Sequence, residues 1–345
     1  MQIILDIILD GLIALKDYFI LKRLISLTIA FSLSGAIVAF MSQGAIIKYF
    51  GPKTHKGMAY VIAAVSGAIL TVCSCSVLPM FASIRKKGAG LGPAITFLFS
   101  GPAINILAIT MTFTLIGFDI GLSRIIGAII LSIIIGLIMF VLYRKSEVVS
   151  ADEKVFDQKD ASSRSFIQNS VFFITLLLVL IFWYIHWIPT LIVVGLLIIQ
   201  MVLFFEKDEL LNWGKETFLL AKKIIPLFII GIFLAGVIGS LLNEDFVVSL
   251  VGNNTYQANL LAGTFGAFMY FATLTEVPIV NMFIHTLGMH KGPAVALLLA
   301  GPSLSLPNMI VISKVLGLKK ASTFFILVIT LSAVVGLIAG MIIGG

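Results

Sequence analysis

Two cysteines separated by a single residue are the first candidates for chemistry in this sequence. The stretch TVCSCSVLP (71–79) holds Cys73 and Cys75, both of the chain's cysteines, and ends on Pro79. Thiolates bind soft metal ions, and arsenic(III) binds sulfur in a similar way. Residues i and i+2 of a regular helix point about 200° apart, so both thiols reach one ligand only where the helix unwinds. We expect a substrate- or metal-binding thiol pair; the alternative is two small apolar side chains in a packed helix.

Glu276 is the second candidate, because it is a carboxylate inside a long apolar segment. It lies in FATLTEVP (271–278), beside Pro278. Within a membrane a carboxylate is unfavourable, and by default it marks an ion or substrate path. We expect Glu276 to couple transport to proton movement or to contact a cationic substrate. The alternative is that it caps the half-helix that follows.

Hydroxyl and amide side chains beside glycine–proline pairs complete the candidate substrate site. Asn105 ends the stretch GPAITFLFSGPAIN; Ser305 ends the similar stretch GPAVALLLAGPSLS, with Asn308 soon after. These side chains line a cavity in one interpretation and satisfy backbone carbonyls freed by the prolines in the other. Ser76, beside the cysteines, either contacts the solute or hydrogen-bonds within its own helix.

Composition places these residues in a membrane. Of the 345 residues, 60% are hydrophobic and 11% charged, with a mean hydropathy of +1.15, whereas soluble domains have about 25% charged residues. The N-terminus lacks the features of a cleavable signal peptide. The net charge of +7 does not by itself predict nucleic-acid binding. No P-loop and no zinc-hydrolase spacing occurs, so we do not expect ATP-driven pumping by this chain alone. We expect neither enzymatic activity nor a cofactor, with a small solute or ion and the lipid bilayer as partners.

The apolar pattern predicts an all-α integral membrane protein with about ten transmembrane helices. A preceding segment, 1–21, has helical spacing of apolar residues and predicts an amphipathic helix on the membrane, or alternatively an eleventh span. The predicted spans are 24–48, 57–84, 91–116, 121–143, 166–187, 189–205, 223–242, 256–287, 293–316 and 321–343.

The chain repeats itself at an offset of about 200 residues, which predicts two pseudo-symmetric four-helix repeats. SGAILTVCSCSVLP (66–79) matches FGAFMYFATLTEVP (265–278), and the glycine–proline stretch at 92–105 matches that at 292–305. If the connecting pair crosses the membrane twice, the two repeats are parallel. If it does not, the repeats are inverted. The predicted segments are the N-terminal helix (1–21), repeat 1 (22–143), a linker (144–165), the connecting pair (166–221) and repeat 2 (222–345).

Prolines at matched positions predict broken helices. A proline inside a helix lacks an N–H group and clashes with the carbonyl four residues back. Pro79 matches Pro278 and Pro102 matches Pro302 in the two halves. Discontinuous helices paired between repeats are the best sequence indication of a transport site. The alternative is that these prolines only kink packed helices.

The distribution of positive charge predicts the orientation. Most of the 23 Lys and Arg residues fall on one side, which places that side and the solvated 144–165 loop in the cytoplasm. Arg124 is assigned by this count to the opposite, external side.

The paired motifs resemble those of the YraQ/ArsP-type predicted permeases. VCSCSVLP with RKKGAGLGPAITFLFSGPAIN, and LTEVP with KGPAVALLLAGPSLSLPN, carry the resemblance. It implies a multi-pass permease of the bacterial inner membrane. Some members of that family export trivalent organoarsenicals, and relatives are linked to soft-metal efflux. Ser76 is a departure, because the family often has glycine there.

Three functions therefore stand as hypotheses. The first is a secondary-active permease that exports a small thiophilic or metalloid solute. The second is a membrane thiol oxidoreductase, although a disulfide between residues i and i+2 would be strained. The third is an uncoupled channel-like protein.

Overall fold

Every regular element in the described part of the chain is a helix. The computed structural model describes residues 9, 12–13, 16, 21–40, 56–70, 74–154, 166–185, 187–241, 250–269, 273–285 and 288–343. The helices are α1 (Leu21–Phe40), α2 (Lys56–Leu70), α3 (Ser74–Lys86), α4 (Leu91–Ala103), α5 (Ile106–Met111), a π-helix (Thr112–Ile116), α6 (Phe118–Lys154), α7 (Phe166–Ile185), α8 (Trp187–Phe204), α9 (Lys207–Leu241), α10 (Tyr256–Phe268), α11 (Thr273–His285), α12 (Lys291–Leu304), α13 (Leu306–Leu316) and α14 (Leu318–Ile343). The predicted all-α class is confirmed for these residues.

Two of the described helices are long and apolar enough to cross a membrane alone. They are α6, over Phe118–Arg144, and α14. Two further candidates are bent pairs: α4 bends by 43° into the segment of α5 and the π-helix, and α12 bends by 51° into α13. Counting each bent pair as one span gives up to four spans by length and composition. The count of about ten stays a prediction.

The helix boundaries of the first half recur about 200 residues later. Helix α4 begins at Leu91 and α12 at Lys291, while α6 begins at Phe118 and α14 at Leu318. Both bends occupy the same place in the pattern, directly after a helix that ends close to a Gly-Pro pair. These matched boundaries lie at the offset that the sequence predicts, and the repeat itself stays a prediction.

Matched glycines allow close helix packing in both halves. A Cβ atom on Gly92 would lie 3.0 Å from the carbonyl oxygen of Gly136, and one on Gly292 would lie 2.8 Å from that of Gly336. Because glycine has no side chain, α4 can approach α6 with the backbones nearly touching, and α12 can approach α14 in the same way.

Helices α4 and α12 form the centre of the molecule. Every residue of α4 is buried, α12 is buried along nearly its whole length, and the two helices pack against each other. The short helices then cross between the halves. Helix α11 of the second half packs on α5 and the π-helix of the first, and α3 of the first half packs on α13 of the second.

The four prolines lie inside helices rather than at their ends. Pro79 is in α3 and Pro278 in α11, each five residues after the helix begins. Pro102 and Pro302 lie in the last turns of α4 and α12, just before the two bends. The bends thus follow directly on Pro102 and Pro302.

Two segments are more helical than the apolar pattern alone predicts. Helix α6 continues to Lys154, through the first half of the predicted 144–165 linker. Helix α9 begins at Lys207, well before the predicted span 223–242. Most of the predicted amphipathic segment 1–21 lies outside the described residues.

Candidate functional site

A buried ion pair joins the two halves of the molecule. Nη2 of Arg124, in α6, lies 3.4 Å from Oε2 of Glu276, in α11. The side chains are 0% and 2% exposed, respectively. Taking two charges out of water is unfavourable unless they are paired and hydrogen-bonded. The pair is therefore the feature of the described structure that most requires an explanation in terms of function.

Arg124 also holds the bend between α4 and α5. Its Nε donates to the carbonyl oxygen of Ala103, the last residue of α4, at 3.2 Å. Its Nη1 donates to Oγ1 of Thr112, the first residue of the π-helix, at 3.2 Å. The end of α4 carries a partial negative charge from its unpaired carbonyls, so a guanidinium there is favourable. One side chain thus connects three segments of the first half to Glu276.

Glu276 uses only one of its two oxygens in this pair. It lies in the first turn of α11, where the partial positive charge of the helix favours a carboxylate. Its Oε1 is buried and has no hydrogen-bond partner. A Cβ atom built on Gly301 of α12 would lie 3.2 Å from this oxygen. The free oxygen therefore faces the last turn of α12.

The placement of Arg124 corrects the prediction from charge counting. Arg124 was assigned to an external loop, but it is fully buried between helices. The error arose because the rule treats any basic residue near a span end as a loop charge. A signal was present, since Arg124 falls inside the predicted span 121–143, and a charge within a span is a functional candidate by default.

Two of the predicted polar residues lie at the bend between α12 and α13. Ser305 and Asn308 are both buried. Nδ2 of Asn308 donates to the carbonyl oxygen of Pro302 at 3.5 Å. Oδ1 of Asn308 and Oγ of Ser305 have no hydrogen-bond partner. The side-chain nitrogen of Asn308 thus binds the carbonyl of Pro302, while Oδ1 of Asn308 and Oγ of Ser305 remain available to a ligand.

Asn105 occupies the equivalent bend of the first half and acts as a helix cap. It is buried, and its Oδ1 accepts a hydrogen bond from the backbone nitrogen of Ala108 at 3.3 Å. This bond satisfies one of the free N–H groups at the start of α5. The cap satisfies a backbone N–H group rather than a freed carbonyl, so it is neither of the two roles that the sequence predicts for this residue.

The thiol candidates fall at the edge of the described structure. Cys73 lies outside the described residues. Cys75 and Ser76 belong to the first turn of α3 by their backbone, and their side chains lie outside the description. Among the residues that the structure describes, no group of three or more His, Cys, Asp or Glu side chains could hold a metal ion. The thiol site stays a prediction.

Paired bent helices with a charged pair buried between the halves are typical of a membrane transporter. Comparison with known proteins agrees: residues 8–341 match the model of the ArsP_1 family, described as predicted permease. The chain belongs to this YraQ/ArsP-type family and is a membrane permease. Its membership favours a transporter over an enzyme.

Curated relatives match the chain over lengths that range from about a third of it to nearly all of it. UPF0718 protein MJ0584 of Methanocaldococcus jannaschii is 43% identical over 361 residues, which cover 99% of this chain and 98% of that protein. UPF0718 protein YcgR of Bacillus subtilis is 27% identical over 123 residues, 35% of this chain and 41% of that protein. UPF0718 protein YraQ of Escherichia coli is 20% identical over 276 residues, 79% of this chain and 63% of that protein. No solved structure matches the chain.

Proposed function

We propose that this permease is a secondary-active transporter that exports a small thiophilic or metalloid solute, such as a trivalent organoarsenical or a soft metal ion. The solute crosses at a central site between the bent helices of the two repeats. The observation that carries the proposal is the buried Arg124–Glu276 pair, which joins α11 of one half to the bend of the other. The protein sits in the bacterial inner membrane with the 144–165 loop in the cytoplasm.

The reciprocal packing of the short helices supports a site between two repeats. Helix α11 packs on α5 and the π-helix, as α3 packs on α13. Each half therefore places one short helix against the bent pair of the other. Movement of one half relative to the other would open and close the space between the two short helices and the two bent pairs, as alternating access requires.

Glu276 is the coupling group in this proposal. Its Oε1 has no partner, so a proton can add there without first displacing Arg124 from Oε2. A neutral carboxyl binds the guanidinium more weakly than a carboxylate does. Arg124 is the charged group in contact with Glu276. Protonation would therefore loosen the contact between the halves.

A Glu276→Gln variant tests the coupling. Glutamine keeps the shape of the side chain but cannot take up a proton, so we expect flux to fall to the rate seen without a pH gradient. The measurement is uptake of a trivalent methylated arsenical into inside-out proteoliposomes, with and without a pH gradient. Glu216→Gln serves as the matched control, because Glu216 forms a surface pair with Lys86. Equal stimulation by the gradient in both variants would rule out Glu276 as the coupling group.

Serine substitutions test the solute class. We expect cells that express Cys73→Ser or Cys75→Ser to lose resistance to trivalent arsenicals, antimonials or soft metal ions, because a hydroxyl does not replace a thiolate as a soft ligand. Growth of an expressing strain over a concentration series measures the effect. Protein levels are compared in membranes, with Ser83→Ala in helix α3 as the control for a small-residue change. Unchanged resistance in both cysteine variants would exclude a thiol site.

A further inference from the structure

Three buried oxygen atoms without hydrogen-bond partners lie around one bend of the second half. They are Oε1 of Glu276, Oγ of Ser305 and Oδ1 of Asn308. The three residues are only 1%, 3% and 1% exposed. Buried polar atoms are nearly always paired in folded proteins. A carboxylate and an amide oxygen can only accept, so this group suits a ligand that is positively charged or a donor.

Glu276 approaches the bend from α11, whereas Ser305 and Asn308 belong to the bend itself. Oε1 of Glu276 faces Gly301, where a Cβ atom would approach it to 3.2 Å. Ser305 follows Gly301 by one helical turn, and its backbone nitrogen donates to the Gly301 carbonyl at 3.1 Å. Asn308 reaches back to the Pro302 carbonyl. Two of the three residues thus belong to the segment 301–308, and the third, Glu276 of α11, places its Oε1 against Gly301 of that segment.

The end of α12 adds further acceptors. The last carbonyl groups of a helix have no partner within it and carry the negative end of the helix dipole. Helix α12 ends at Leu304, and α13 departs at 51°. The carbonyl of Gly301 accepts from the backbone nitrogen of Ser305, and that of Pro302 accepts from Asn308, so the carbonyls of Ser303 and Leu304 are the candidate ligands from this helix end. In transporters, such interrupted helix ends typically coordinate Na⁺ or H⁺.

The equivalent bend of the first half has a cation at the end of its helix. At the equivalent bend, the carbonyl of Ala103 at the end of α4 accepts from the guanidinium of Arg124. At an offset of 200 residues, α14 has Phe324 where α6 has Arg124. A cation therefore meets the helix end in the first half, whereas an apolar ring stands at the matching position in the second.

We propose that the bend between α12 and α13 binds a sodium ion, held by Glu276, Ser305, Asn308 and carbonyls at the end of α12. The ion would neutralise the carbonyls at the end of α12, as the Arg124 guanidinium does at the end of α4. All the ligands are hard oxygen donors, and the single carboxylate is already partly neutralised by Arg124. This charge is too small for Ca²⁺, whose sites usually contain several carboxylates.

This inference rests on the proposed function, because it names a second coupling ion at the same carboxylate. Sodium and a proton would both occupy Oε1 of Glu276, so they would compete. Arg124 would keep its contact with Oε2. Lys291, the one cationic residue of α12, begins that helix and donates to the carbonyl of Ile343, so it lies away from Glu276.

Direct binding of radioactive sodium to the purified full-length chain in detergent tests the proposal without any solute. We expect saturable binding of one ion per chain, displaced by unlabelled Na⁺ but not by K⁺ or choline. Ser305→Ala and Asn308→Ala should each weaken binding by about tenfold or more, since even an outer-shell partner is typically worth that factor in metal affinity. Ser313→Ala, in α13, and Asn212→Ala, exposed on α9, are matched controls that should bind sodium normally.

Each result has a defined meaning. Absence of saturable binding, or equal affinity in the Ser305 and control variants, would overturn the sodium site. Flux that depends on Glu276 and on pH, but shows the same rate in sodium-free medium, would also overturn it while leaving the proposed function intact. Sodium binding without any pH-driven flux would support the site and contradict proton coupling.

Discussion

An Arg124→Met variant is expected to be strongly destabilised. It leaves the carboxylate of Glu276 buried without its cation and removes the donors to Ala103 and Thr112. Loss of one partner from a buried ion pair typically lowers stability by about 3–5 kcal/mol. The measurement is the unfolding midpoint of the purified protein in detergent, followed by heat and by a denaturing detergent titration.

The double variant Arg124→Met/Glu276→Leu separates the charge from the side-chain volume. Replacing both members of a buried pair by apolar residues is often close to neutral for stability. We therefore expect the double variant to recover most of the loss, while remaining unable to couple transport. A double variant as unstable as the single one would show that the unpaired carboxylate is not the cause.

The surface pair Lys86–Glu216 provides the matched comparison. Its atoms are closer, at 2.7 Å, but Lys86 is 55% exposed. Exposed ion pairs typically contribute about 0–1 kcal/mol, so Lys86→Met should leave the midpoint nearly unchanged. Burial, rather than distance, decides which of the two pairs matters for stability.

A Gly336→Ala variant should separate α14 from α12 and lower the stability of the second half. The new Cβ atom would lie 2.7 Å from the carbonyl oxygen of Gly292 and 2.8 Å from the Cβ atom of Ala296. Such distances force the backbones apart, and overpacking typically lowers stability by about 1–3 kcal/mol. The unfolding midpoint in detergent measures the change.

Two further glycines make this prediction specific. Gly136→Ala, at the equivalent position of the first half, should be destabilising as well, because its Cβ atom would lie 2.8 Å from the carbonyl oxygen of Gly92. Gly214→Ala in α9 meets no heavy atom within 4 Å. It should be neutral or stabilising by up to about 1 kcal/mol, since alanine favours a helix more than glycine does. A midpoint that falls equally in all three variants would contradict the close-packing argument.

Rules that use only a few neighbouring residues predicted the helix bends and the functional importance of the Glu276 carboxylate. Proline removes a helix hydrogen bond wherever it stands. Bends follow Pro102 and Pro302, whereas Pro79 and Pro278 lie inside helices that continue past them. Glu276 was identifiable because a carboxylate in an apolar span is rare for energetic reasons. Both inferences need only a few neighbouring residues. The family resemblance was likewise carried by short motifs, and the family match over residues 8–341 confirms it.

Local rules left the role of each polar residue open. Asn105 and Ser305 stand at equivalent positions, and the sequence allowed either to line a cavity or to satisfy a carbonyl freed by a proline. In the structure, Asn105 caps α5, whereas Oγ of Ser305 has no partner. The two differ because each role depends on which neighbouring helix supplies a donor.

The sequence by itself determined that this is a helical membrane permease, with two matched interruptions and one carboxylate buried in an apolar segment. Only the tertiary structure brought Arg124 to Glu276, because the two residues are 152 positions apart and meet only where α11 crosses onto the first half. Periodicity and charge counting act along the chain and carry no information on such a crossing. The packing of α11 on the first half brings the two opposite charges together in the buried interior. The same packing leaves Oε1 of Glu276 facing the bend between α12 and α13.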